Sequence, residues 1–329
     1  MTRTAAITGA SGFVGRHVVA AFEAAGWHCR VLLRNPATAP ALPAETVEGT
    51  LEDPTALREL VNGADTVVHI AGLTASRDPE AFDRINAGGT TSIADAWENN
   101  APNARFVLVS SMAAREPQLS PYAASKLRAE DALKTRSGRW CILRPSAVYG
   151  PHDPSTLALF RMGLAPIQPV LGSEDARLCL IHVEDLARAV RATADGASDS
   201  AIWELSDAQH AGYAWREMAT LLAETMGRRP RPLALPRTLV DLLGIAAERL
   251  PAARKLIGPL SSDKIRELRH LDWSSSAAAQ PPPALWRPTL SLAEGFEHTV
   301  RALEAAGQIP PRSTPVRGLR PRKTAEEAS

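Results

Sequence analysis

Apolar residues in the first half of the chain come in short, nearly unbroken runs separated by stretches of helical period. Ala5–Ile7, Cys29–Leu33, Thr66–Ala71, Arg105–Val109 and Trp140–Leu143 read as strands, too short for buried helices and too apolar to leave one face in water. Between them Phe13–Ala25, Thr55–Asn62, Pro79–Asn99 and Tyr122–Arg136 read as helices. This alternation predicts an α/β fold, a doubly wound parallel sheet covered on both faces. The pattern changes after Gly150. Residues 150–172 are rich in Pro and Gly, and from Ala208 helical stretches dominate. Leu178–Val183 and Ala201–Leu205 read as strands returning to the first domain. The expected organisation is a sheet domain over 1–150 with returning segments near 178–207, and a smaller, mostly helical region over 151–177 and 208–309.

The turn after the first strand adds chemistry. Thr8 to Gly15 reads Thr-Gly-Ala-Ser-Gly-Phe-Val-Gly, with glycines at 9, 12 and 15. Glycine lets the backbone turn sharply and approach a ligand closely, and the following helix presents free N–H groups and a positive dipole end. A pyrophosphate suits that demand, so the segment reads as the start of a Rossmann-type dinucleotide-binding unit. An ordinary glycine-rich turn has the same local look, so residues further along the chain must decide between the two. Tyr122 and Lys126 lie four apart and share one helix face. A free phenol, with a pKa about 10, is a weak acid–base catalyst at neutral pH, and a nearby ammonium is expected to draw it towards the working range. The strand Arg105–Val109 runs into Ser110-Ser111 at the sheet edge where such folds bind ligands, so Ser111 is placed to bond the substrate oxygen that Tyr122 protonates.

With these residues in view the chain resembles the extended short-chain dehydrogenases/reductases, also called the NAD-dependent epimerase/dehydratase family. The likeness rests on Thr8–Gly15, His69-Ile-Ala-Gly72, Asn86, Val109-Ser-Ser111, Tyr122-Ala-Ala-Ser-Lys126, Leu143-Arg-Pro-Ser-Ala-Val-Tyr-Gly-Pro151 and Ile181-His-Val-Glu-Asp185, in that order, over about residues 3 to 300. In pattern it is nearest to members like the dihydroflavonol reductases and 3β-hydroxysteroid dehydrogenases. The resemblance implies catalytic roles for Ser111, Tyr122, Lys126 and Asn86. It implies a cofactor-binding set of Gly9, Ser11, Gly12, Phe13, Val14, Gly15, Arg34, Thr50, Leu51, Ala71, Gly72, Tyr122, Lys126, Pro145 and Val148. It also implies a homodimer paired through the helices Pro79–Asn99 and Tyr122–Arg136.

The second strand ends Leu33-Arg34-Asn35-Pro36 with no carboxylate for ribose hydroxyls; a guanidinium there suits a 2′-phosphate, although a solvated surface Arg reads the same. The expected cofactor is NADP, with NAD possible. Where many members carry Gly-Asp-Leu, this chain has Gly49-Thr50-Leu51, and Glu52 and Asp53 are expected to cap the next helix. Met112-Ala113-Ala114 after Ser111 lacks the acid a dehydratase needs, and Arg177 sits one residue away from the place of the epimerase anion contact. Hydride transfer to a ketone, or from a secondary alcohol, of a small apolar or cyclic substrate is therefore expected. A sugar-nucleotide epimerase with tightly held NAD and a non-catalytic NADP-binding sensor are the alternatives. Leu157, Phe160, Met162, Leu164, Pro166, Ile167, Pro169 and Leu233–Ala247 are candidates for an apolar pocket or, equally, for the smaller region's own core. His152 and Asp153 are expected at the pocket mouth, with His182 structural and Asp185 helping a helix begin.

Composition removes other classes. With 45% apolar and 22% charged residues the bulk is globular, and a net charge of +1 offers nucleic acid no general attraction. No apolar run reaches the roughly 20 residues of a bilayer span, and no signal-peptide pattern precedes the first strand, so a cytoplasmic enzyme is expected. Cys29, Cys141 and Cys179 lie far apart in apolar runs, as buried thiols rather than a disulfide or metal set; no metal ligands are expected. Pro310–Ser329 is rich in Pro and Arg and reads as a disordered basic tail.

Overall fold

Local sequence accounts for most element boundaries. Asp53, Ser120, Asp153 and Ser291 each accept a backbone N–H at a helix start, and the first three are followed by a proline whose missing N–H costs nothing there. The computed structural model describes residues 2–170, 175–196, 199–236, 238–240, 242, 245–246 and 262–312. Seven parallel strands form the main sheet: β1 (Thr4–Thr8), β2 (His28–Leu33), β3 (Glu45–Glu48), β4 (Thr66–His69), β5 (Arg105–Val109), β6 (Trp140–Pro145) and, completing it later in the chain, β11 (Ala201–Leu205). Their spatial order is β11-β6-β5-β4-β1-β2-β3, so the chain reverses direction of growth between β1 and β4. That reversal is where an open α/β sheet leaves a crevice at its strand ends.

Successive strand residues feed opposite cores. Ile7, Val107, Val109, Cys141 and Leu143 pack with Val18, Val19 and Phe22 of helix α1 (Phe13–Ala24) and with Leu186 and Val190 of a helix over Val183–Gly196. Ala6, Phe106, Leu108 and Ile142 pack on the other face with Leu57 and Leu60 of α2 (Pro54–Val61), Ile93 and Trp97 of a helix over Gly89–Asn100, and Leu133 of one over Pro121–Lys134. Burial on both faces explains the unbroken apolar strands. The three cysteines are free and buried, and desolvation pushes the thiols of Cys29 and Cys141 up to about 12 and that of Cys179 to about 11.

The structure corrects several expectations. The helix expected over Pro79–Asn99 is three pieces: α3 (Pro79–Phe82), a π-helical turn over Asp83–Gly88, and α4 (Gly89–Asn100). The strand expected over Leu178–Val183 does not return to the main sheet. Arg177–Leu178 (β9) pairs with Tyr213–Ala214 and Asp272–Trp273, while Leu180–His182 (β10) lies parallel to Ala147–Tyr149 (β7). A further short strand, β8 (Gln168–Val170), pairs with Pro232–Ala234; only β11 returns, beside β6. Asp185 lies inside the first turn of the helix Val183–Gly196, and its buried carboxylate accepts the N–H groups of Thr289 and Leu290 at 2.9 and 3.0 Å and pairs with Arg188. It therefore clamps a distant segment rather than starting its own helix. Replacing Asp185 by Ala strands both N–H groups and should cost about 3 kcal/mol, read as a lowered denaturant midpoint; an unchanged midpoint would show that the clamp adds nothing to stability.

A third core joins Tyr149, Phe160, Leu180, Met218, Leu222, Phe296 and Val300, with Leu157 and Leu164 packed against it. Phe160, Leu157 and Leu164 thus belong to this core, whereas Ile167 and Leu233 are about half exposed. The Leu233–Ala247 run lies partly outside the described residues; within them Leu239, Leu242 and Ile245 are exposed and Val240 is buried. The tail begins later than Pro310: Ile309 is buried, and the Arg312 guanidinium bonds Glu297, Glu304 and the Thr225 carbonyl. Residues 313–329 lie outside the described residues. Among the described residues no helix is long and apolar enough to cross a membrane.

Candidate functional site

Strand register brings the motif residues to one edge. Thr8 aligns with Leu32 on one side and His69 on the other, His69 aligns with Leu108, and Val109 with Leu143. The segments leaving these strands, Gly9–Gly12, Ile70–Leu73 and Ser110–Ser111, therefore border one crevice. Gly9 has φ +76, and a Cβ on it would meet Ala71 N at 2.6 Å; a Cβ on Gly15 would lie 2.0 Å from Gly9 O. Both positions exclude side chains because one backbone passes another. Gly12 caps α1 with extended backbone and no side-chain bond, and the first turn holds no acidic residue. The first N–H groups of α1 are thus unmasked beside exposed Ser11 and Gly12, with Phe13 and Val14 half-buried behind them. A cradle that a Cβ would fill, ending in an uncapped helix start, fits a dinucleotide pyrophosphate.

A polar chain beneath this loop is one that sequence reasoning missed. Thr8 Oγ1 accepts from Ala71 N at 3.3 Å and bonds His69 Nδ1 at 2.7 Å; His69 Nε2 faces Thr90 Oγ1 at 3.1 Å, and Thr90 donates to Asn86 O at 2.7 Å. Each hydroxyl has one proton, so the chain assigns an Nε2–H tautomer to His69. Desolvation pushes this imidazole down to about 3, leaving it neutral. The visible signals were a threonine before the glycine turn and a histidine inside an apolar strand.

The residues expected to react stand on α5 (Pro121–Lys134) and just past the end of β5. Ser120 caps α5 and also donates to Glu267 at 2.5 Å, which ties the helix to Ser262–Arg269. The Tyr122 ring keeps accessible surface, but desolvation at its hydroxyl raises the pKa to about 12; a hydrogen bond with Ser111 opposes this and the charge of Glu267 adds to it. Burial wins, so Tyr122 is a phenol here, contrary to the expectation that the ammonium brings it towards neutrality. Ser111 also accepts from Ala113 N at 3.1 Å, capping the short 3-10 turn Met112–Arg115. Lys126 donates to Val109 O at 2.9 Å, and burial pushes its pKa down to about 8, with Glu130 opposing. Ser110 and Arg144 both bond buried Glu130, a residue the motifs did not single out.

Asn86 sits in the π turn, a device that inserts a residue and re-aims a side chain. Its amide accepts from Leu73 N at 2.7 Å and donates to Leu73 O and Ser125 Oγ, and Ser125 donates to Tyr122 O. It braces the loop after β4 against the tyrosine's own turn. Gly72 must be small, since a Cβ there would lie 2.9 Å from Asn86 Oδ1.

Other expected residues lie around these. Arg34 is exposed just past β2. The Thr50 hydroxyl accepts from Glu52 N, Asp53 alone caps α2, and Leu51 packs against Gly89. Pro145 ends β6 and Val148 is half-buried in β7. Asp153 caps Pro154–Gly163 by accepting from Thr156 N. A cavity of about 510 Å³ opens between α2 and α4; of its lining, Leu51 alone belongs to the expected cofactor set, so the cavity lies apart from the reacting groups.

Comparison with known proteins agrees with this geometry. The model of the NAD dependent epimerase/dehydratase family matches residues 5–202. The chain is 41% identical over 310 residues to the ceramide reductase of Caulobacter vibrioides, covering 93% of this chain and 96% of that one. It is 27% identical over 259 residues to a 3 beta-hydroxysteroid dehydrogenase/Delta 5-->4-isomerase of Mycobacterium tuberculosis, covering 68% and 69%. Among solved structures, MoeE5 in complex with UDP-glucuronic acid and NAD has the same fold, with a TM-score of 0.68 at 21% identity over 92% of this chain and 99% of that one.

Proposed function

The chain belongs to the NAD dependent epimerase/dehydratase family, and on that footing we propose that it reduces the ketone of a ceramide-class lipid with NADPH. It is an enzyme of the extended short-chain dehydrogenase/reductase type that uses a nicotinamide dinucleotide. The observation that carries the narrower reading is the constellation of Ser111, a protonated Tyr122 and Lys126 at the sheet edge, in a chain 41% identical to a ceramide reductase. When bound, the reduced nicotinamide supplies the hydride. Ser111 orients the substrate oxygen, and Tyr122 gives its phenolic proton to it. Lys126 stays charged below about pH 8, holds the cofactor ribose and steadies the phenolate left behind. Gly9, Gly12 and Gly15 admit the pyrophosphate to the first N–H groups of α1. Asn86 positions Tyr122 through Ser125.

All three reacting residues are present, which supports catalysis over a sensor, and the relatives' reductase and dehydrogenase activities support net redox chemistry over epimerisation. Homodimerisation through α4 and α5 belongs to the same reading and rests on the resemblance. The test is NADPH consumption with a long-chain oxo-amide, with the lipid product identified by mass spectrometry. Release of tightly held NAD on denaturation, with no lipid turnover, would overturn it in favour of epimerisation. Preference for NADPH is assigned to Arg34. Because this guanidinium is exposed, Arg34→Ala should lower the NADPH over NADH preference about tenfold, the size of one screened charge-assisted contact. An unaltered ratio of kcat/KM values would remove Arg34 from the cofactor site.

A further inference from the structure

Four of the chain's eight histidines gather in one region. The rings of His17 and His152 are 6.3 Å apart and those of His182 and His298 are 5.2 Å apart. His17 lies near enough to His182 for its charge to act on that ring. Elements distant in sequence meet here: α1, the loop after β7, the end of β10, and the helix Leu292–Ala305.

The geometry points to a divalent transition-metal site formed by His182, Glu184 and His298, with Zn2+ the ion whose chemistry it matches best. One ring nitrogen from each histidine and one carboxylate oxygen of Glu184 lie within 4.8 Å of one another. Glu184 Oε1 is 3.8 Å from His298 Nδ1, and both side chains are part-exposed, free to close on an ion. His182 is 1% exposed, which makes it the fixed ligand. Its hydrogen bonding is incomplete: Nδ1 takes only a long contact of 3.3 Å from Glu184 N, and Nε2 is buried with no partner. A buried imidazole ordinarily has both nitrogens satisfied; ligation through Nε2 requires the ring proton to sit on Nδ1, at the expense of the long contact with Glu184 N. Two imidazoles and one carboxylate are the donor set of open zinc sites, where water completes the tetrahedron. An ion here would join the helix Leu292–Ala305 to the start of the helix Val183–Gly196.

The experiment strips the full chain with EDTA, dialyses it against Zn2+ alone and measures retained metal, with Co2+ as a spectroscopic substitute. Wild type should retain stoichiometric Zn2+, gain thermal stability from it, and give the visible Co2+ absorption of a four-coordinate site. His298→Ala should lose all three while keeping wild-type stability in EDTA. Glu184→Gln serves the same purpose if His298→Ala fails to fold. His152→Ala, which removes an exposed neighbour outside the ligand set, should retain the metal. Equal Zn2+ retention by wild type and His298→Ala, no retention by wild type, or loss in His152→Ala matching that in His298→Ala would each overturn the assignment.

Discussion

Tyr122→Phe should reduce kcat for ketone reduction by about 10³-fold, within the range a positioned general acid contributes, while NADPH affinity stays near the wild-type value. The change removes one hydroxyl from a site where Ser111 is its hydrogen-bonding partner and leaves the ring's contact with Phe82, at 6.1 Å, in place. Steady-state turnover and a fluorescence titration with NADPH separate the two effects. Turnover close to wild type would refute the assignment of Tyr122. The pH dependence has a definite sign. A phenol raised to about 12 stays protonated through neutrality, so reduction has its acid at every working pH. Alcohol oxidation needs the phenolate, so its rate should climb with pH. Lys126, lowered to about 8, loses its charge as pH rises through that value, and reduction should then fall on the alkaline side.

Gly15→Ala should weaken NADPH binding by about 10²-fold, the scale on which a displacement of about 1 Å acts. The added methyl would sit 2.0 Å from Gly9 O and 2.7 Å from Ala10 Cα, both backbone atoms with no rotamer to yield. Either the loop or α1 must move, and the N–H groups proposed to face the pyrophosphate move with it. Gly12→Ala meets only Gly9 O at 3.3 Å and should leave the unliganded fold unchanged. Titration of folded Gly15→Ala, checked by circular dichroism, is the measurement; wild-type affinity would mean that the loop does not set the cofactor's position.

Much of the fold was legible because its causes are local. Ala6 and Ile7 feed opposite cores from adjacent positions, so the run Ala5–Ile7 had to be apolar on both faces. Asp53 caps its helix with its own neighbours' N–H groups. The π turn at Asn86 was not legible, since Gly88 and Gly89 do not by themselves specify a π turn and its shape is matched to contacts with Leu73 and Ser125. The partner of β10 was misread for a similar reason: Leu180–His182 is apolar enough for the main sheet and pairs instead with β7, a choice no residue within it encodes.

By itself the sequence determined the alternation of strand and helix, the glycine turn and the one-face spacing of Tyr122 and Lys126, because periodicity and backbone sterics act between residues a few positions apart. The tertiary structure decided the upward shift of the Tyr122 pKa, the clamp of Asp185 on Thr289 and Leu290, the bond from Ser120 to Glu267 and the meeting of His182 with His298. Desolvation and long-range pairing depend on which groups surround an atom in space, and those groups come from segments that the chain brings together only by folding.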